Sequence, residues 1–130
     1  MGKLISISLS FMIITMALLK GNSIPLEKVL GDVLDSLFNG KIKIYFSEPL
    51  KIGNKKMEIV HSCQEAQLEV GRGECTGIPL ITFDYSTFEH NPNSIAVIYL
   101  DKGRIQLFFN KKGLNRYQIL LPEKYQGLIP

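Results

Sequence analysis

The sequence predicts an α+β domain in which one N-terminal amphipathic helix packs on a curved antiparallel sheet of about six strands. Three observations predict it. Apolar residues recur at spacings of three and four from Leu26 to Phe38, and beyond Gly40 the apolar period falls to two. Short runs rich in Gly, Asn and Pro punctuate the alternating segments. A period near 3.6 belongs to a helix with one buried stripe, and alternation belongs to a half-buried strand. The stripe and one sheet face bury each other most simply as two layers. A β-sandwich with a helix at one end is the alternative.

The chain opens MGKLISISLSFMIITMALLKGNSIP. Lys3, a charge-free run from Leu4 to Leu19, and the small residues Gly21 and Ser23 form the layout of a secretory signal peptide. The run is shorter than the roughly 18 to 20 apolar residues of a membrane-spanning helix. Cleavage is expected after Ser23, with Gly21 the next choice and an uncleaved anchor the alternative. The expected organisation is a signal peptide over residues 1–23 and a single α+β domain over 24–130, delivered outside the cell, or to the periplasm in a bacterium. Removing 23 of the 130 residues leaves 107, the length of one domain. Without Lys3 and Lys20 the chain carries 13 basic and 12 acidic residues, a net charge of +1. So small a charge gives no bulk attraction to nucleic acid or anionic lipid. Nucleic acid is therefore not expected as a partner, and no stable membrane anchor is expected after cleavage.

The helix is read in SIPLEKVLGDVLDSLFNGK. Leu26, Val29, Leu30, Val33, Leu34, Leu37 and Phe38 share a stripe, Pro25 suits the first turn, Glu27 suits the positive end of the helix dipole, and Asn39-Gly40 ends it. The polar face carries Glu27, Lys28, Asp32 and Asp35. Its acidity favours packing on a sheet over insertion into an anionic membrane.

The strands follow. KIKIYF alternates Ile42, Ile44 and Phe46 against Lys41, Lys43 and Tyr45, and MEIVHSC places Met57, Ile59, His61 and Cys63 on one face. PLITFDYSTF, SIAVIYLD, RIQLFFN and RYQILLP complete the series, with hairpin turns at Asp101-Lys102-Gly103 and Lys111-Lys112-Gly113. SIAVIYL is apolar on both faces and should be central, with RIQLFFN beside it. The stretch from Ile24 to Lys56 resembles the first half of the short N-terminal domain of secretins and TonB-dependent receptors, where a leucine-rich helix leads through a turn into a strand. That family requires a second helix where this sequence has its cysteine segment and further strands, so the resemblance does not extend to membership.

HSCQEAQLEVGRGEC, residues 61–75, holds both cysteines and one of the two histidines. Zinc bound by His61, Cys63, Cys75 and His90 would need ligands in closely spaced pairs, and Cys75 and His90 are far apart in sequence. Two cysteines in a secreted chain oxidise together, so a Cys63–Cys75 disulfide is expected, with no metal and no cofactor. The enclosed segment, with Gly71 and Gly73 around Arg72, reads as a solvated polar excursion. No catalytic residue is assigned. The expectation is a secreted, disulfide-stapled, non-enzymatic binding protein of the inhibitor, effector or venom-component kind, acting on an extracellular protein or small ligand. Its candidate contact residues are Arg72, Phe88 and His90; Phe83, Tyr85, Phe88, Tyr99, Phe108, Phe109 and Tyr117 exceed what one sheet face needs to bury and form either a two-sided core or, if exposed, the interaction surface. The alternatives are a membrane-active toxin using the N-terminal helix and a small hydrolase using His61 or His90.

Overall fold

The leucine stripe forms α1, Leu26–Leu37, with Leu30, Val33 and Leu34 buried. The computed structural model describes residues 26–39, 42–50 and 57–130. The expected signal segment, Pro25, Gly40 and Lys41 lie outside the described residues. Helix α1 is not at the chain's terminus, since residues 1–25 precede it, and it is not the sole helix. No described helix is long and apolar enough to cross a membrane.

Among the described residues six strands form a single sheet: β1 (Ile42–Phe46), β2 (Met57–Val60), β3 (Leu68–Gly71), β4 (Leu80–Thr82), β5 (Ser94–Asp101) and β6 (Arg104–Phe109). Their order is β2-β1-β3-β4-β5-β6. The mixed α and β content holds, but the expected antiparallel sheet does not. Strands β1 to β5 run parallel and only β6 is antiparallel, to β5. Nor is there a second sheet among the described residues, as the sandwich alternative required. Alternation reports burial and not strand direction, and short connections suggest hairpins because parallel crossovers ordinarily take about a dozen residues. Here the strands are short enough to escape that rule. A four-residue strand such as β2 or β3 is about 13 Å long. Residues 61–67, extended, reach about 23 Å.

The hairpin expected at Asp101-Lys102-Gly103 is present. Asp101 pairs with Arg104, and the two turn residues take φ of 54° at Lys102 and 81° at Gly103, the mirror-image turn that suits strand twist. The other expected hairpin is a helix. Lys111–Arg116 forms α3, with the Asn110 side chain accepting from Lys112 N–H, and the RYQILLP strand is instead irregular chain leading to a 3-10 helix at Glu123–Leu128. The PLITFDYSTF strand stops at Thr82, and Tyr85–His90 forms α2. In both places an Asx side chain captures a backbone N–H and starts a helix, which an apolar count does not register.

Asp84 caps α2, its carboxylate accepting from Thr87 N–H at 2.9 Å and Thr87 O–H at 2.8 Å. These bonds hold its pKa below the usual 3.8. A depressed carboxylate contributes stability above its unfolded pKa and loses it as pH falls through the folded value. Asp84→Ala is therefore expected to lower the thermal midpoint at pH 7, with the gap to wild type closing well below pH 3.8. A gap that persists unchanged in acid would contradict this role.

Register divides the sheet into two faces. Ile42, Ile44, Leu68, Val70, Ile81, Ala96, Ile98 and Phe109 lie on one, and join Leu30, Val33 and Leu34 of α1 and Leu114 of α3 in the core. Tyr45, Glu69, Thr82, Val97 and Phe108 lie on the other. Phe108 and Phe109 thus point oppositely, as alternation requires. Phe108 meets Tyr85 and Tyr99, whereas Phe109 meets Tyr125. Strand β5 is paired on both sides, with β6 beside it as expected, but it is fifth in the row and not at its centre.

Candidate functional site

Strand β3 sits where the order of the parallel strands reverses: the chain steps from β1 outward to β2, then crosses back to β3 on β1's other side. In open parallel sheets the crevice outside the carboxyl ends of strands at such a reversal is the usual ligand position. Here those ends carry Ser47 after β1 and Arg72 after β3.

The backbone beyond β3 is built around Glu69. This carboxylate is 1 % exposed. Its Oε2 accepts from Gly73 N–H at 2.9 Å, Glu74 N–H at 2.7 Å and the Ser47 hydroxyl at 2.5 Å, and its Oε1 accepts from Cys75 N–H at 2.9 Å. Three successive amides thus form a nest around an anion supplied by the chain itself. The Ser47 hydroxyl in turn accepts from Arg72 N–H at 2.7 Å. Each backbone N–H from Arg72 to Cys75 is therefore satisfied from within the chain.

Two glycines make this packing feasible. Gly71 takes φ of 140°, and a Cβ there would lie 2.5 Å from Ser47 Oγ and 2.7 Å from Glu48 N. Gly73 takes φ of 85°. Between them Arg72 is exposed. Beside it Tyr45 O–H donates to Glu74 Oε1 at 3.1 Å. The Tyr45 phenol is held above its usual pKa of 10.0 chiefly by that hydrogen bond and by the Glu74 charge, with Arg72 opposing.

The expected disulfide is present between Cys63 and Cys75, with Cα atoms 5.5 Å apart. The segment it encloses is not the expected solvated excursion. It contains β3, whose four residues are all buried, and the bridge joins two crossovers, 61–67 before the strand and 72–79 after it. His61 also departs from expectation. Strand β2 ends at Val60, His61 is exposed, and Cys63 begins a 3-10 helix, Cys63–Glu65. The two do not share a strand face.

Of the candidate contact residues, the structure brings Arg72 to the reversal point of the sheet and leaves the others elsewhere. Phe88 is 5 % exposed, packed against Tyr85. His90 ends α2, exposed, with Nδ1 2.9 Å from Ser86 O. Tyr85, Tyr99 and Phe108 form a half-buried cluster with ring centroids 5.5 to 6.4 Å apart. Both cysteines are bonded to each other, and no group of three His, Cys, Asp or Glu among the described residues is placed to hold a metal ion. Sequence reading missed Glu69. The signal was a lone charge between Leu68 and Val70 followed by GRGEC, whose closely spaced amides need an acceptor.

At the opposite, amino ends of the strands, Phe38, Asn39, Ile42, Gln67, Pro79, Tyr117 and Ile119 line an open groove of about 390 Å³. Tyr117 O–H donates to Asn93 Oδ1 at 2.6 Å, and burial pushes this phenol above its usual pKa of 10.0. No protein-family model matches the chain, and no curated protein matches it in sequence.

Proposed function

We propose that the protein is secreted and acts as a non-enzymatic binding protein, meeting an extracellular protein or ligand through the loop beyond β3 with Arg72 as its anchor. The observation that carries this reading is the pre-organisation of that loop. Its backbone from Arg72 to Cys75 is fixed by Glu69, Ser47 and the disulfide, while the Arg72 side chain faces solvent. A contact held in place before binding loses little entropy on binding, and arginine is among the commonest anchors of protein interfaces. The disulfide is compatible with an extracellular destination. The toxin alternative is less economical, because the apolar stripe of α1 would have to leave the core it shares with the sheet.

The test is capture from the fluid into which the protein is released, comparing immobilised wild type with Arg72→Ala and Arg72→Glu. A partner retained by wild type should be bound at least roughly tenfold more weakly by Arg72→Ala, and more weakly still by the charge reversal, with circular dichroism unchanged. Equal retention by all three removes Arg72 from the contact. Failure of the wild type to retain any protein or small molecule contradicts the binding reading.

A further inference from the structure

We infer that Tyr45 is a positioning residue of the Arg72 site: it holds the Glu74 carboxylate off the guanidinium and so keeps Arg72 open to a carboxylate supplied by the partner. This rests on the proposed role of Arg72 as the anchor and names the chemistry that the anchor takes. Among the described residues the Arg72 backbone N–H is bonded to Ser47 Oγ, but its guanidinium makes no hydrogen bond or ion pair. No carboxylate elsewhere in the chain can alter this, since residues 1–25, 40–41 and 51–56 contain no Asp or Glu. The guanidinium is unpaired although acids surround it.

Each neighbouring acid is placed differently. Glu69 is committed to the amides of Gly73, Glu74 and Cys75 and to the Ser47 hydroxyl. The Glu48 backbone packs against Gly71, the residue before Arg72. Glu74, two positions after Arg72, accepts instead from the Tyr45 O–H at 3.1 Å. Tyr45 is fixed in β1, paired with Val60 on one side and Glu69 on the other, so a rigid strand restrains a loop carboxylate. The Glu74 bond and charge raise the phenol's pKa and Arg72 opposes them; the guanidinium is therefore within electrostatic range of the oxygen to which Glu74 is tied. Without that tie, the nearest loop carboxylate is at liberty to meet the planar fork that suits it. The remaining charges also choose among anions. Glu48 and Glu74 repel any oxyanion in proportion to its charge, so a singly charged carboxylate is penalised less than a phosphate, which carries up to two charges at neutral pH.

The test follows the Arg72 Nε–H signal by NMR in the folded, oxidised protein at neutral pH, titrated with sodium acetate or sodium phosphate at constant ionic strength. Acetate should shift the signal in wild type, and phosphate should bind more weakly. In Tyr45→Phe the affinity for acetate should fall about two- to fivefold, the scale of one exposed ion pair, because Glu74 now competes. The double variant Tyr45→Phe/Glu74→Gln should recover it, and the exposed Arg104 and Arg116 should respond alike in all three proteins. A second measurement leaves Tyr45 in place: in Glu74→Gln the phenol should titrate closer to 10.0, and in Arg72→Ala further above it. Equal acetate affinity in wild type and Tyr45→Phe, or an unmoved phenol in Glu74→Gln, overturns the role of Tyr45. Phosphate binding as tight as acetate, or no response to acetate, overturns the carboxylate chemistry. That failure is separable from failure of the anchor, because a captured partner lost in Arg72→Ala would still place Arg72 in the contact.

Discussion

Glu69→Gln is expected to destabilise the protein by about 2 to 4 kcal/mol, although the two side chains have nearly the same shape. The carboxylate receives four donors and donates to none. Glutamine offers a single oxygen, and its amide group must then face at least one backbone N–H with another N–H. If the oxygen keeps the place of Oε2, Cys75 N–H is left without an acceptor; if it takes the place of Oε1, Ser47, Gly73 and Glu74 all lose theirs. A buried donor left unsatisfied costs about 1 to 3 kcal/mol, and the surviving bonds lose the strength that a charged acceptor gave them. Urea titration of both proteins reads the difference directly. A shift below about 0.5 kcal/mol, the scatter expected of an ordinary surface substitution, would mean that Glu69 does not hold the loop.

Replacing both cysteines by alanine is expected to cost about 3 kcal/mol, from the entropy that the cross-link removes from the unfolded chain. The separation of 12 residues sets that scale. A small domain has a total margin of only about 5 to 15 kcal/mol. The variant should therefore stay folded at 25 °C but unfold at distinctly lower urea concentration. The loss should also be uneven. Residues 72–75 keep the Glu69 carboxylate, whereas among the described residues the 61–67 crossover keeps the bond from Ala66 N–H to Cys63 O at 3.2 Å, itself internal to that segment, and two bonds at its far end between Gln67 and the Lys43 backbone. Equal unfolding midpoints for the two proteins would contradict a stabilising role for the bridge.

Which features were legible in the sequence follows from what local pattern can encode. The α1 stripe, the alternation of β1 and β6, the Lys102-Gly103 turn and the Cys63–Cys75 pairing are each set by residues close together or by the cysteine count, and each is present. Strand direction is not local. An alternating segment looks the same whether the chain returns by a hairpin or a crossover, and only the reach of residues 61–67 and 72–79 against such short strands shows that a crossover fits. The short helices were misread because Asp84 and Asn110 begin them from inside segments that still alternate. Arg72 was singled out for its glycine neighbours. Its real restraint comes from Ser47 and Glu69, and the first of these lies 25 positions away in sequence. Glutamates usually mark solvent, so Glu69 was counted with the polar tip although it is a core residue of β3.

Amide hydrogen exchange on the cysteine-free variant tests most directly the claim that the chain's own carboxylate, and not the disulfide alone, presents Arg72 on a fixed backbone. Gly73, Glu74 and Cys75→Ala amides should remain protected while residues 61–66 exchange faster than in wild type. Exchange of the 73–75 amides at the rate of an unstructured chain, in that variant or in the oxidised wild type, would contradict it.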